Sequence, residues 1–132
     1  MKKKMFAALV SLFAFGTLSL SAQAVIKFEK TSHDFGQFAE KDAQTVVFKF
    51  TNAGNEPLVI NQAFSSCGCT VPSYTKTEIQ PGGAGELRVT YNGRGKVPGH
   101  FKKSVSVMSN ASNKLVRLYI EGTMTSGKNP EK

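Results

Sequence analysis

Two cysteines, Cys67 and Cys69, are the residues of this chain whose type and spacing most directly suggest chemistry, and a single glycine separates them. On an extended strand their Cα atoms would lie roughly 6.6 Å apart, near the upper limit of about 6.8 Å for a disulfide. Gly68 lets the backbone bend and shorten that gap. A bridge here would close a very small ring, so we expect it to be strained and to constrain the unfolded chain little. Such a pair is better suited to thiol–disulfide exchange than to stabilising a fold.

Three interpretations of this pair remain open from the sequence. The first is structural: a local bridge, or two semi-buried thiols that pack as small apolar side chains. The second is a thiol–disulfide site in which Cys67 or Cys69 attacks as a thiolate, with Lys76 or a folded-in arginine as the cationic neighbour. The third is capture of Cu(I) by the two thiolates, supplemented by His33, His100, Met108 or Met124. The flanking Ser66, Gly68 and Thr70 complete the motif and are predicted to support it.

Other catalytic patterns are weak. The loop Pro81–Gly85 contains three glycines but lacks the lysine and the following helix of a phosphate-binding loop. Ser65 and Ser66 have no organised histidine and acid around them in sequence, which argues against a serine hydrolase. The nine Asp and Glu residues are dispersed, which argues against the paired carboxylates of a glycosidase. We therefore predict no enzymatic activity and no cofactor, with thiol–disulfide exchange as the alternative.

Residues 1–24 are predicted to be a cleaved signal peptide. The basic Lys2–Lys4 precedes an uncharged apolar run, and Ala22-Gln23-Ala24 supplies the small residues that a signal peptidase reads. The run is too short for a convincing membrane span. Cleavage after Ala24 would leave 108 residues, enough for one domain, and would remove three lysines, lowering the formal charge from +8 to +5. We expect an exported protein (periplasmic, at the cell surface or secreted) with no stable membrane span, whose scattered charge does not indicate nucleic-acid binding.

The remaining chain alternates short apolar–polar segments with Gly, Pro and Asn turns, the pattern of β-strands. No segment has a helical period. These features predict an all-β fold, an immunoglobulin-like antiparallel β-sandwich of seven or eight strands over residues 25–124, with a polar C-terminal tail over 125–132. Because both cysteines lie in one short segment, they cannot join the sheets, and the core must hold the domain together. The predicted core consists of Phe48, Phe50, Leu58, Ile60, Leu87, Val89, Val105, Val107, Leu118 and Ile120.

Five motifs in this order resemble the DUF1573 family. They are His33–Gly36, the Phe-x-Phe-x-Asn-x-Gly-x-x-Pro-Leu segment Phe48–Leu58, the cysteine segment Ser65–Thr70, the loop Pro81–Gly85 and the pair Glu121-Gly122. The resemblance covers nearly all of the chain after residue 24. It implies an exported bacterial protein with an immunoglobulin-like fold similar to major-sperm-protein and ASH modules, and it carries no established activity.

The predicted function is therefore a non-catalytic module that binds another envelope protein or a glycan through loops or an exposed sheet edge. The alternative is a thiol–disulfide or copper-handling accessory protein that uses Cys67-Gly68-Cys69. The two differ in their response to mutation. A binding module keeps its affinity when both cysteines are replaced, whereas a thiol or metal protein loses its activity.

Overall fold

The computed structural model describes residues 22–126, which form eight β-strands and no helix. Within that range there is accordingly no helix of the length and apolarity needed to cross a membrane. Residues 1–21 of the predicted signal peptide and residues 127–132 of the predicted tail lie outside the described chain. The strands are β1 (Ile26–Phe28), β2 (Ser32–Ala39), β3 (Gln44–Asn52), β4 (Ile60–Phe64), β5 (Thr70–Tyr74), β6 (Ala84–Tyr91), β7 (Gly99–Ser109) and β8 (Leu115–Thr125).

The strands form two four-stranded sheets, ordered β1-β3-β6-β5 and β2-β8-β7-β4. This is the arrangement of a constant-type immunoglobulin sandwich, with its first strand divided between the sheets. It confirms the predicted fold class. One pairing differs from the expected antiparallel pattern, because β2 runs parallel to β8. After β1 the chain passes from the first sheet to the second, where it forms β2. Strands β3 to β7 make up the long connection between β2 and β8 that parallel partners require.

All ten predicted core residues are buried, with relative exposures of 5% or less. They lie on the inward faces of both sheets because side chains alternate along each strand. Three residues outside the predicted set are also buried, namely Ile79, Tyr91 and Met124. Tyr91 stacks on Phe101 with ring centroids 4.0 Å apart. Packing of these inward-facing side chains, rather than a cross-sheet disulfide, holds the layers together.

The strand β4 begins two residues later than the apolar run starting at Leu58 suggests. Leu58 instead pairs with Ile79 in an isolated bridge, with two backbone hydrogen bonds of 2.8 Å each. The Val59 N–H is satisfied by the Asn110 side-chain oxygen at 2.8 Å. Leu58 and Val59 therefore form hydrogen bonds with loop residues, and the pairing of β4 with β7 starts only at Ile60.

Gly36 interrupts the regular course of β2. Its φ is +73°, in the left-handed region that glycine enters readily, and the β2–β8 register shifts between Asp34 and Gln37. The Asp34 carboxylate accepts the Gly36 N–H at 2.7 Å. This bulge interrupts the exposed edge of β2.

The residues just before β1 are integrated into the fold. Ala24 is 2% exposed, and its carbonyl accepts the Ser112 N–H at 2.9 Å. The Gln23 carbonyl accepts the Asn55 N–H at 2.9 Å, and the Asn55 side chain accepts the Gln23 N–H at 2.8 Å. The predicted boundary between Ala24 and Val25 thus falls within a hydrogen-bonded segment, and cleavage there stays a prediction.

Candidate functional site

The cysteines lie in the connection between β4 and β5. We call residues Ser65–Thr70, the last of which begins β5, the cysteine turn. Both strands are at sheet edges, β4 in the second sheet and β5 in the first. The Ser65 hydroxyl donates to the Ser104 carbonyl at 2.9 Å, and the Asn92 N–H donates to the Cys69 carbonyl at 2.7 Å. The cysteine turn therefore crosses from one layer to the other along one side of the sandwich and is tied to both.

Cys67 and Cys69 are joined by a disulfide, with their Cα atoms 5.1 Å apart. The gap is shorter than on an extended strand because these residues form a turn, in which the Thr70 N–H donates to the Cys67 carbonyl at 3.1 Å. Gly68 is not among the described residues with positive φ, and a Cβ placed on it would meet no atom within 4 Å. The turn consequently forms without the special conformational freedom of glycine.

The two sulfurs have unequal surroundings. Cys69 is 7% exposed and belongs to the hydrophobic core, whereas Cys67 is partly exposed and only packs against it. The Cys69 N–H donates to the Cys67 sulfur at 3.2 Å. The Cys69 sulfur lies 3.7 Å from the hydroxyl of Thr70, which is 3% exposed and must be the donor because a disulfide sulfur carries no hydrogen. Of the residues predicted to support the motif, Thr70 touches the bridge, while Ser66 and Gly68 are exposed beside it.

The other residues considered for redox or metal chemistry are engaged elsewhere. Lys76 lies over the Tyr74 ring, 4.0 Å from its centroid. His100 Nε2 lies 3.3 Å from Glu121 Oε2. Met124 is buried, and Met108 is exposed on the outer face of the second sheet. Within residues 22–126, no three His, Cys, Asp or Glu residues are grouped to hold a metal ion.

His33 lies on β2, at the edge of the second sheet opposite β4. Lys30 Nζ donates to its Nδ1 at 3.0 Å. The pKa of His33 is lowered from its ordinary value of 6.5, first by partial burial, which disfavours the charged ring, and second by the positive charge of Lys30. Its surroundings thus favour the neutral ring.

A group of exposed apolar side chains adjoins β4. Phe64, Met108 and Leu115 are 43%, 40% and 49% exposed, respectively. Phe64 pairs with Ser106, and Met108 pairs with Leu115, so all three point to the outer face of the second sheet, opposite the buried Val105 and Val107. We call these three residues the β4 edge patch. The sequence alone does not reveal this patch, because which side chains share one face of the sheet depends on the strand register.

Asn52, which the sequence shows only as part of the Phe48–Leu58 motif, has a structural role. It is 1% exposed. Its amide donates to the carbonyls of Glu56 and Ile79 at 2.6 and 2.9 Å, and its oxygen accepts the N–H groups of Val25 and Gly54 at 3.3 and 2.9 Å. Four backbone groups from three segments thus depend on one side chain.

A family model described as "Protein of unknown function (DUF1573)" matches residues 26–124. No curated protein sequence is significantly similar to the chain. A crystal structure of a protein of unknown function from Porphyromonas gingivalis W83 aligns with a TM-score of 0.68 at 21% identity, over 83% of this chain and 51% of that one. The chain therefore spans about half the length of that protein.

Two further structures extend the likeness. The ASH/PapD-like domain 7 of human CEP192 aligns with a TM-score of 0.61 at 12% identity, over 96% of this chain and 100% of that one. The periplasmic chaperone SfaE aligns with a TM-score of 0.54 at 13% identity, over 81% and 60%. At these identities the likenesses establish the immunoglobulin-like fold alone.

Proposed function

The chain belongs to the DUF1573 family of proteins of unknown function, and from that premise we propose that it is an exported, non-catalytic binding module. Its partner would be an envelope protein that contributes an extended segment to the edge of the second sheet. Peptides recognised in this way gain affinity from backbone hydrogen bonds and specificity from alternate side chains.

One observation carries this proposal: β4 is an edge strand without charge or proline that lies beside exposed apolar side chains. Of the four edge strands in the described chain, β1 has only three residues, β2 is interrupted by its bulge, and β5 contains Pro72. Such features protect sheet edges from pairing with other chains. β4 also has a register shift, between Ile60 and Gln62, and its Asn61 carbonyl accepts the Tyr74 hydroxyl at 3.4 Å. It differs from the other edges in having neither a charged residue nor a proline and in lying beside the exposed apolar side chains of the β4 edge patch.

The β4 edge patch suits such a strand chemically. Side chains of an added strand that point outward would lie next to Phe64, whose diagonal neighbour on β7 is Met108. Exposed apolar side chains that adjoin one another on one face mark sites of protein contact, and Met108 adjoins both Phe64 and Leu115. The partner segment should therefore be apolar at alternate positions.

Export is supported by the N-terminal pattern and by the disulfide. Disulfides persist in oxidising compartments such as the periplasm, and one likeness in fold is to a periplasmic chaperone. Fractionation of cells that express the full chain, followed by intact mass, tests this part. We expect the protein outside the cytoplasm and shortened by the signal peptide; a full-length cytoplasmic protein would contradict export.

A photoreactive phenylalanine analogue tests the binding surface. Placed at position 64, it should form a discrete adduct with one envelope protein in living cells, and excess unlabelled chain should compete that adduct away. The matched control is position 97, because Val97 is also apolar and is 88% exposed, but it lies in the loop between β6 and β7.

The variant Met108→Glu, which changes the patch without touching the labelled position, should abolish the adduct at position 64 while leaving the circular dichroism spectrum intact. Equal adducts from positions 64 and 97, or adducts from neither, would overturn the proposal.

A further inference from the structure

We propose that the Cys67–Cys69 disulfide is an acceptor for thiol exchange with a fixed direction, in which a low-molecular-weight thiolate attacks Cys67 and Cys69 is the leaving sulfur. This inference is independent of the binding function proposed above, because it concerns modification of the cysteine turn and not recognition at the β4 edge patch.

Accessibility selects the sulfur that is attacked. A thiolate must reach a disulfide sulfur directly to displace the other one. Cys69 is 7% exposed and packs in the core, so its sulfur is shielded. Cys67 is partly exposed, and both its neighbours in sequence, Ser66 and Gly68, are exposed. An external thiol therefore meets Cys67 first.

A hydrogen-bond donor beside the leaving sulfur favours the same direction. The Thr70 hydroxyl lies 3.7 Å from the Cys69 sulfur and can donate a hydrogen bond to it as negative charge develops there. Because Thr70 is 3% exposed, water does not compete strongly for that bond.

The electron pair of the attacking thiolate forms a new S–S bond to Cys67, and the Cys67–Cys69 bond breaks. Its electron pair remains on Cys69, which accepts the Thr70 hydrogen bond and then a proton from solvent. One disulfide replaces another, so no separate oxidant or reductant is consumed. The Cys69 backbone stays anchored through its bond to Asn92, and the turn opens on the Cys67 side, next to β4.

The first test locates the adduct. Oxidised, folded protein is incubated with reduced glutathione, quenched in acid and digested with pepsin, and the glutathionylated peptide is sequenced by mass spectrometry. We expect about a tenfold or larger excess of adduct on Cys67 over Cys69. A predominant adduct on Cys69, or equal amounts on both, would overturn the proposal. So would no adduct in the folded protein when urea-unfolded protein reacts.

Two matched variants test accessibility separately. Cys69→Ala leaves Cys67 as a single thiol, and Cys67→Ala leaves Cys69. With folding verified by circular dichroism, iodoacetamide should alkylate the first about tenfold faster than the second, and the difference should vanish in urea. Equal rates in the folded variants would contradict the assignment of Cys67 as the attacked residue.

The role of Thr70 has its own test. Thr70→Val keeps the shape of the side chain but removes the hydroxyl, so glutathionylation of the intact disulfide should slow by roughly three- to tenfold. Alkylation of Cys67 in the Cys69→Ala background should keep its rate, because no leaving sulfur is involved. Equal slowing of both reactions would show that Thr70 only shapes the turn.

Discussion

Reduction of the Cys67–Cys69 bridge should cost the domain little stability. A disulfide stabilises a fold mainly by restricting the unfolded chain, and this effect decreases as the enclosed loop shortens. The cysteines are two positions apart, and the loop-entropy relation gives about 1.6 kcal/mol at 25 °C for such a loop, against about 3 kcal/mol for one of fifteen residues. The buried side chains of the two sheets supply the rest of the stability whether or not the bridge is present.

Urea unfolding of the same protein with and without reducing agent, followed by far-ultraviolet circular dichroism, measures this cost. With a slope of about 1–2 kcal/mol per molar urea, the midpoint should fall by about 1 M while the slope stays constant. The variant Cys67→Ser/Cys69→Ala serves as control, because reducing agent should not shift its midpoint. If reduction unfolded the domain, or lowered its free energy of unfolding by more than about 4 kcal/mol, the disulfide would be a main source of the stability of the fold and this prediction would be refuted.

Three further predictions follow from the hydrogen bonds and from His33. Asn52→Ala should lower the free energy of unfolding by about 3 kcal/mol or more, because it leaves buried backbone groups without hydrogen-bond partners. The control Asn61→Ala, at an exposed position, should change the free energy of unfolding by no more than about 0.5 kcal/mol. Equal effects of the two variants in urea unfolding would contradict this. A chain beginning at Val25 should be less stable than one beginning at Gln23 by about 1–2 kcal/mol, since it loses backbone hydrogen bonds and the burial of Ala24; identical thermal midpoints would count against it. NMR titration should place the pKa of His33 below 6.5. The unfolded chain then binds the proton more readily, so the contribution of His33 to stability is complete above about pH 6.5 and is lost as the pH falls through the folded-state pKa. His33→Gln should flatten this part of the pH–stability profile, and an unchanged profile would argue against it.

The strands and the core could be predicted from the sequence because the alternation of apolar and polar residues along a strand is a local pattern. Alternation alone indicates that Phe48, Phe50, Leu87 and Val89 face inward, and all four are buried. The start of β4 was not predictable in this way, because the isolated bridge between Leu58 and Ile79 depends on a loop that is distant in sequence. The parallel pairing of β2 with β8 likewise depends on where the chain changes sheets.

The candidate site was predictable in its residues but not in its asymmetry. The spacing of Cys67 and Cys69 indicated that a bridge was feasible, and the structure contains one. Which sulfur is buried depends on how the cysteine turn crosses between the sheets, and spacing carries no information about that. The β4 edge patch and the role of Asn52 were missed for the same reason, since both are assembled from segments that are far apart in sequence.

The most direct test of the account is photocrosslinking from position 64 in the Cys67→Ser/Cys69→Ala background. If binding takes place at the β4 edge and does not involve the disulfide, the same partner adduct should form, in similar yield, as in the chain with both cysteines. Loss of the adduct from this variant, with its circular dichroism spectrum and urea midpoint showing it folded, would contradict the account and make the cysteine pair the functional centre.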